Sequence, residues 1–477
     1  MKIIMIFFCL IFVLHLSATI INIPADQSTI QEGINVAVDG DTVLVQPGTY
    51  VENINFCGKE ITLGSLFLLT QDSLYIENTI IEPDIVDNTI TFNSNETDTS
   101  TIIGFNLRNG LVGVYCDNTD PIIKDLLIEG NGWGIILNDS NASISDCTIR
   151  YNFNSDDGPG IKCNNSNVII ENCIIIENYL LDESYGNGGG IYSFESTLTI
   201  HNTIISLNSA DRKGGGLYSN NSNITIVNSN ISNNWVNYYG GGLYSINNSE
   251  ITFINSIIYG NRFSELYFSQ GLQNELNIAH SVLEDGYSGI VTNNSCTINW
   301  LEGNIDSDPF FIDPYGWDFH LYNNSPSIGA GIDEIEINGE WYLTPELDIE
   351  GNLRPFPVGS MPDMGAYENP LGEPQSGIRI YDLTNIEFQL NNFPNPFNPT
   401  TTIEFSIQID SNVELLIYNI KGQKITTLAN NEFTKGSHSI IWNGEDASGK
   451  KVGSGLYLYK LQVNDKIELV KKCLLLE

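Results

Sequence analysis

Through the middle of the chain, apolar residues stand at every second position in short runs. Val168/Ile170, Leu198/Ile200, Ile224/Ile226 and Ile251/Phe253 are examples, with Asn, Ser and Gly between the runs. A period of two predicts strands with one buried face, and no stretch of this region carries the helical period. The runs belong to a longer repeat. With a glycine before an apolar residue as origin, copies start at Gly113, Gly134, Gly160, Gly190, Gly216 and Gly242, spaced by 21, 26, 30, 26 and 26 residues. Three positions on stand Cys116, Leu137, Cys163, Ser193, Ser219 and Ser245; the alternating pair follows, opened by Ala142/Ile144. A third apolar position comes at Ile149, Ile175, Ile205, Ile231 and Ile258, and an asparagine recurs at Asn131, Asn152, Asn178, Asn208, Asn234 and Asn261. A repeat near 26 residues with three short strands is one coil of a parallel β-helix, its equivalent positions stacked about 4.8 Å apart. The recurring asparagine then forms a ladder, each amide donating to the amide of the next coil.

These residues resemble the right-handed parallel β-helix of the pectate-lyase-like superfamily, here assigned to 19–306. Its N-terminal opening resembles Ile23-Pro24 through Tyr50. Ser28-Thr29-Ile30-Gln31 reads as a capping box that starts a short helix to about Val38, a plug for the open end of the core. Residues 307–368, with Asp308-Pro309-Phe310, Asp318-Phe319-His320-Leu321 and Asp363-Met364-Gly365-Ala366-Tyr367-Glu368, resemble a segment that closes β-helices of surface-anchored bacterial proteins. His320 has no partner motif beside it and is read as a packed or capping residue.

Pro370, Gly372, Pro374 and Gly377 mark 369–385 as a linker. Beyond it, alternation returns in about seven short segments, among them Thr400–Phe405, Val413–Tyr418 and Gly455–Tyr459. This count suits an immunoglobulin-like sandwich. Asn392-Phe393-Pro394-Asn395-Pro396-Phe397-Asn398-Pro399, Lys421-Gly422-Gln423, Trp442-Asn443-Gly444 and the ending Lys471-Lys472-Cys473-Leu474-Leu475-Leu476 resemble the type A sorting domain of type IX secretion. That domain is related to the immunoglobulin-like domain of the flagellar hook cap. Glu477 departs from the basic residue more usual at the end. The resemblance implies a Gram-negative host, the type IX machinery as partner through 386–477, and a secreted or outer-surface destination.

The other terminus agrees. Lys2, the apolar run Ile3–Leu16 and Ser17–Ala18 have the layout of a signal peptide (1–18) cut after Ala18. The run is too short to span a bilayer, and no other stretch approaches the required length of about 18 apolar residues, so the mature protein is not membrane-spanning. Charge narrows the partners: 20 Lys+Arg against 58 Asp+Glu give a formal net charge of −38, which repels nucleic acid and anionic membranes. Seven cysteines remain after cleavage, without paired spacing or a C-x-x-C motif, and are expected to be buried free thiols.

Coil length varies at one corner, between the ladder asparagine and the next glycine, through 153–159, 179–189, 209–215 and 235–241. Insertions stacked on one corner build a single face, commonly the binding face of a solenoid. It carries the aromatics Tyr179, Tyr185, Trp235, Tyr238 and Tyr239 and the acids Asp156, Asp157, Asp182, Glu183 and Asp211. In the strand that follows, Tyr115, Tyr192, Tyr218 and Tyr244 are expected to face outward, forming a stripe whose ring faces stack on sugars. The competing enzyme reading, a polysaccharide lyase or glycoside hydrolase, rests on the pairs Asp156–Asp157 and Asp182–Glu183, which suit calcium or an acid/base pair. No cofactor is otherwise called for. Asn118-Thr119-Asp120 echoes a polygalacturonase motif, but its place in the repeat sets it on a different edge from Asp156. Arg212 and Lys213 beside Asp211 are read as an exposed charge cluster. The sequence therefore favours a non-catalytic glycan-binding or adhesin-like surface protein; a structural spacer is the third reading.

Overall fold

A computed structural model describes residues 18–181, 186–293, 296–374, 390–395, 397–407, 411–419, 421, 423–434, 436–463 and 467–475. Two compact units result, 1–376 and 377–477. The proposed signal peptide up to Ser17 and the residues Asp182–Tyr185 lie outside the described residues.

The first unit is the β-helix. Among the described residues it has three parallel sheets of twelve, ten and ten strands. One coil runs from Leu217–Asn220 in the tyrosine-bearing sheet, through Asn223–Val227 in the long sheet, to Asn230–Ser232 in the third. Inward residues of all three sheets fuse into one apolar column, from Ile23 to Ile290. In four successive turns between the long and third sheets an asparagine stands in the left-handed region: Asn172, Asn202, Asn228 and Asn255 have φ of 46–53°. Asparagine tolerates that conformation because its short polar side chain bonds locally.

The amide ladder is present. Asn131, Asn152, Asn178, Asn208 and Asn234 each donate Nδ2 to Oδ1 of the next ladder residue, at 2.9–3.1 Å, ending on Asn261. The repeat glycines follow from this ladder. A Cβ on Gly216 would sit 2.8 Å from Asn234 Nδ2 and 2.8 Å from the Gly242 carbonyl. The next coil's ladder occupies the space a side chain would need.

The N-terminal helix is Ile30–Val36, shorter than expected, and its capping box is offset by one residue. Thr29, not Ser28, is the N-cap: its hydroxyl accepts from Glu32 N at 3.1 Å. The Gln31 side chain turns away from the helix to pair with the Asn55 backbone, accepting at 2.8 Å and donating at 3.0 Å. Five cysteines are buried free thiols, Cys57 is exposed and Cys296 half-buried, so burial holds for only part of the set.

After the last coil the chain doubles back as a strap along the flank of the helix. Asn202, Asn228 and Asn255 donate to the strap carbonyls of Leu347, Asp363 and Ile332. Phe319, Leu321, Met364 and Tyr367 cover outward apolar residues of the third sheet, Ile176, Ile204 and Ile257. The reason is visible in the strand Ile174–Ile176, which is apolar at all three positions and therefore needs cover on both faces. His320 packs on Tyr367 at 4.0 Å between ring centroids, with Nδ1 2.7 Å from Asp318 and Nε2 3.3 Å from Glu350. Residues 369–372, read as the start of a linker, are folded onto the strap: Asn369 is buried and donates Nδ2 to the Leu321 carbonyl at 3.0 Å.

The second unit is an antiparallel sandwich. Leu390–Phe393, Thr401–Ile407 and Gly436–Trp442 form one sheet; Ser411–Asn419, Lys424–Phe433, Gly455–Val463 and Ile467–Leu475 form the other. Ile403, Phe405, Leu415, Ile417, Trp442, Tyr459 and Leu461 fill its core. Cys473 and Leu475 are buried there, so the apolar tail closes the sandwich.

Candidate functional site: the inserted corner and the tyrosine stack

The inserted stretches form a fourth parallel sheet, Phe153–Asn154, Tyr179–Leu180, Ser209–Ala210 and Trp235–Val236. Alternation splits it into two faces. Leu180, Ala210 and Val236 are buried together beneath it. Phe153, Tyr179, Ser209 and Trp235 stand in register on the outer face, and the three aromatics are exposed. The Phe153 and Tyr179 rings stack at 5.4 Å and 8°, while the Arg262 guanidinium lies 4.8 Å from the Trp235 ring centroid. Tyr238 and Tyr239 continue the exposed edge, tilted to one another at 6.5 Å. Four expected residues therefore share one surface: Tyr179, Trp235, Tyr238 and Tyr239. Phe153 joins them; its pair Phe153-Asn154 matches Tyr179-Leu180 one coil later, a signal already present in the sequence.

The tyrosine stripe departs from expectation. Tyr192, Tyr218 and Tyr244 do project away from the apolar column, in register with one another. Their rings are nearly parallel, at 5.1 Å and 2° and then 5.5 Å and 3°, and Tyr267 extends the row at 5.3 Å and 8°. Each inner ring spends both faces on its neighbours. The corner insertions cover the edges, leaving Tyr218 8% and Tyr244 1% exposed. A sugar has no free face to stack on at these two positions. Tyr115 is not in the row at all, because Ile136 and Lys162 occupy the two intervening register positions. Tyr267 falls outside the glycine-led repeat because its coil begins with Glu265 in place of a glycine, although Leu266-Tyr267 copies Leu243-Tyr244.

Among the described residues, the acids of the corner do not converge. Asp157 is turned inward, and its Oδ1 accepts from Asn187 N at 2.7 Å and Nδ2 at 3.0 Å. Burial raises its carboxyl pKa above the usual range against those hydrogen bonds. Asp156 is exposed and lies 3.4 Å from Lys162 Nζ. The Lys162 ammonium also sits over the Trp133 and Tyr192 rings, at 6.0 and 5.7 Å. Burial, then Asp157 and Asp156, pushes the Tyr192 hydroxyl up to about 12. Asp211 accepts from Asn237 Nδ2 at 2.9 Å, and Lys213 lies 4.6 Å from the Tyr244 ring centroid, so part of the expected exposed charge cluster is a lid on the stack. Asp120, on the turn into the long sheet, accepts from Asn141 N at 2.7 Å. Among the described residues, no three His, Cys, Asp or Glu side chains are grouped to hold a metal ion. Tyr185, Asp182 and Glu183 lie outside the described residues.

Residues 395–466 match the family model of the FlgD Ig-like domain. Among solved structures, the chain is similar to latent PorU of Porphyromonas gingivalis, at 24% identity and a TM-score of 0.17. The match covers 18% of this chain and 9% of that one. It is also similar to PorZ of the same organism, a bacterial surface component of the type IX secretion system, at 20% identity and a TM-score of 0.15, covering 18% of this chain and 11% of that one. A third is the A-module of the mannuronan C-5 epimerase AlgE4 of Azotobacter vinelandii: 12% identity, a TM-score of 0.32, and 59% of this chain against 96% of that one. No curated protein sequence matches the chain. Among the described residues, no helix is long and apolar enough to cross a membrane.

Proposed function

We propose that this chain is an exported bacterial β-helix protein that binds a glycan without turning it over, along the corner formed by Phe153, Tyr179, Trp235, Tyr238 and Tyr239. The observation that carries this reading is the exposed aromatic row on a sheet backed by Leu180, Ala210 and Val236. Rigid, outward aromatic faces next to acids and hydroxyls suit the apolar faces and polar edges of sugar rings. The tyrosine stack, buried at Tyr218 and Tyr244, meets this row where Tyr239 packs on Tyr267 at 4.7 Å between ring centroids; it does not itself contact the ligand. The export signal is the Lys2–Ala18 leader, and the address is the C-terminal domain, read as a cargo domain for the type IX machinery from its motifs over 386–477. Secretion or outer-surface display follows from both.

One observation favours a second reading, a polysaccharide lyase or hydrolase. Asp157, with its raised carboxyl pKa, stands with Asp156 and the Lys162 ammonium in the corner. A polysaccharide array with the mature chain, scored for binding and for product release with and without calcium, separates the readings. Retention of a glycan without product, lost in Trp235→Ala and Tyr179→Ala, is the expected result. Turnover lost in Asp157→Asn establishes the enzyme, and silence on both counts leaves a spacer. Removing 386–477 is expected to hold the protein in the periplasm.

A further inference from the structure

The long sheet and the strap border an open polar groove on a different face from the corner. Its floor is the outward face of successive coils. Thr197, Asn223, Glu250 and Glu275 stand in register along one row, and Thr225 and Thr252 along the next. Its roof is the hairpin of Glu334–Ile337 and Glu340–Leu343. Ile337 anchors that hairpin by burying itself against Val227 and Ile254, so the groove is a built feature of the first unit. Thr197, Asn223, Thr225, Glu250, Thr252, Glu275, Asn338, Glu340 and Tyr342 are among the groups lining a cavity of about 480 Å³, within the range of small-ligand sites.

Two properties define what would fit. The first is unused hydrogen-bonding capacity. The side chains of Thr197 and Asn223 are exposed and that of Thr225 is half-buried; none bonds another of the described residues, and they repeat at the coil spacing of about 4.8 Å, so a ligand laid along them could replace their water. The second is unbalanced charge. Glu250, Glu275 and Glu340 share the groove with no Lys or Arg among its lining residues. Asn299 and Asn338 donate to Glu275 at 2.9 and 3.3 Å, and Tyr342 donates to Glu340 at 3.2 Å, which orients the carboxylates without neutralising them. Burial, followed by repulsion from Glu275 and Glu340, raises the Glu250 pKa. The carboxylates are not grouped for metal coordination. A cation carried by a hydroxylated molecule satisfies both properties at once: its ammonium balances the carboxylates while its hydroxyls pair with the threonine and asparagine row.

We propose that this groove is a second binding site, for an amine-bearing saccharide. The site is separate from the aromatic corner and does not depend on the corner's ligand. The test is calorimetric titration of the mature full chain with oligomers of glucosamine and with the same oligomers fully N-acetylated. The expected result is binding of the amine form, weakened about tenfold or more by acetylation, because a charge-assisted hydrogen bond is lost. Glu250→Gln combined with Glu275→Gln should weaken it by at least the same factor. These isosteric changes keep the groove's shape, and a thermal melt checks that the variant folds. Thr225→Val should weaken both oligomers in parallel, whereas Trp235→Ala at the corner should leave amine binding unchanged. Equal affinity for the two oligomers, no binding of either, or loss on Trp235→Ala but not on the double glutamate change would each overturn the assignment.

Discussion

Asn261 gives its backbone N–H to Oε1 of Glu265 at 2.9 Å and its side-chain Nδ2 to Oε2 of the same carboxyl. Every earlier ladder residue makes the same two donations to the next asparagine; here the ladder ends and a glutamate stands in. Glu265 occupies the position that is glycine in earlier coils, where a side chain fits because no further ladder asparagine needs the space. Burial and the neighbouring Glu284 push its carboxyl up to about 9. An unfolded glutamate titrates near 4.3. Between those values the folded state holds a proton that the unfolded state has released, so this contribution to stability is full below about pH 4 and is lost as pH rises toward 9. Glu265→Gln keeps the site neutral and should flatten the dependence. Urea unfolding at pH 5 and pH 8 should show the wild type losing more stability than the variant, by at least about 1 kcal/mol, the value of one pKa unit. Matching profiles would remove Glu265 from the explanation.

The tyrosine stack and the aromatic corner should separate in mutagenesis. Tyr218→Ala removes a ring held between two parallel neighbours and should cost about 3–5 kcal/mol of stability, the usual range for a buried aromatic truncated to alanine. Tyr218→Phe keeps the stack and should leave glycan affinity unchanged. Trp235→Ala should do the reverse: little change in stability, and about 1 kcal/mol lost in binding. A glycan affinity that fell equally in Tyr218→Phe would place the hydroxyl of the stack in the site after all.

The β-helix was legible because its signal is repetition: glycine, paired apolar residues and asparagine return in phase, and stacking makes each copy constrain the next. The corner was legible for the same reason, since length varied at one point of the coil only. The burial of Tyr218 and Tyr244 was not. Alternation tells which side of a strand a residue faces, but not what another segment later lays over that side. The strap shows the same limit. Ile174–Ile176 announces a strand covered on both faces, yet nothing local says that Phe319 and Tyr367, more than a hundred residues on, supply the cover. The groove over Glu250 and Glu275 was hidden because its roof comes from that same distant segment.

The strap should fail as a unit when its buried ion pair is cut. Arg354 is 6% exposed; it donates to Glu368 at 3.1 Å, to Asn202 at 2.7 Å and to the Gly365 carbonyl at 3.1 Å. Arg354→Met leaves Glu368 buried without its cation, and breaking such a pair from one side costs about 3–5 kcal/mol. The apolar column beneath does not depend on it. Limited proteolysis should therefore cut the variant within 308–374 while the coils persist. Unchanged resistance there would show that the apolar contacts of Phe319, Leu321 and Met364 suffice to hold the strap.

In the middle of the ladder, the protonation state of one substituted side chain should decide stability. Asn208 Oδ1 accepts from Asn178 N and Nδ2, both at 3.0 Å, and its own Nδ2 donates to the Ile175 carbonyl at 2.8 Å and to Asn234 Oδ1 at 3.1 Å. Asn208→Ala strands two buried donors on Asn178, at about 1–3 kcal/mol each. Asn208→Asp restores the acceptor, but its second oxygen then faces two acceptors. Protonated, that oxygen can donate to one of them; ionised, it places a buried charge against both. Its carboxyl pKa should therefore be raised in the folded state, so stability is present at low pH and lost as pH rises through the folded value. Chemical unfolding should find Asn208→Asp closer to wild type at pH 5 than at pH 8, with Asn208→Ala lacking that pH dependence. An Asn208→Asp variant whose gap from wild type is the same at both values would mean that water reaches the ladder, contrary to the complete burial of Asn208.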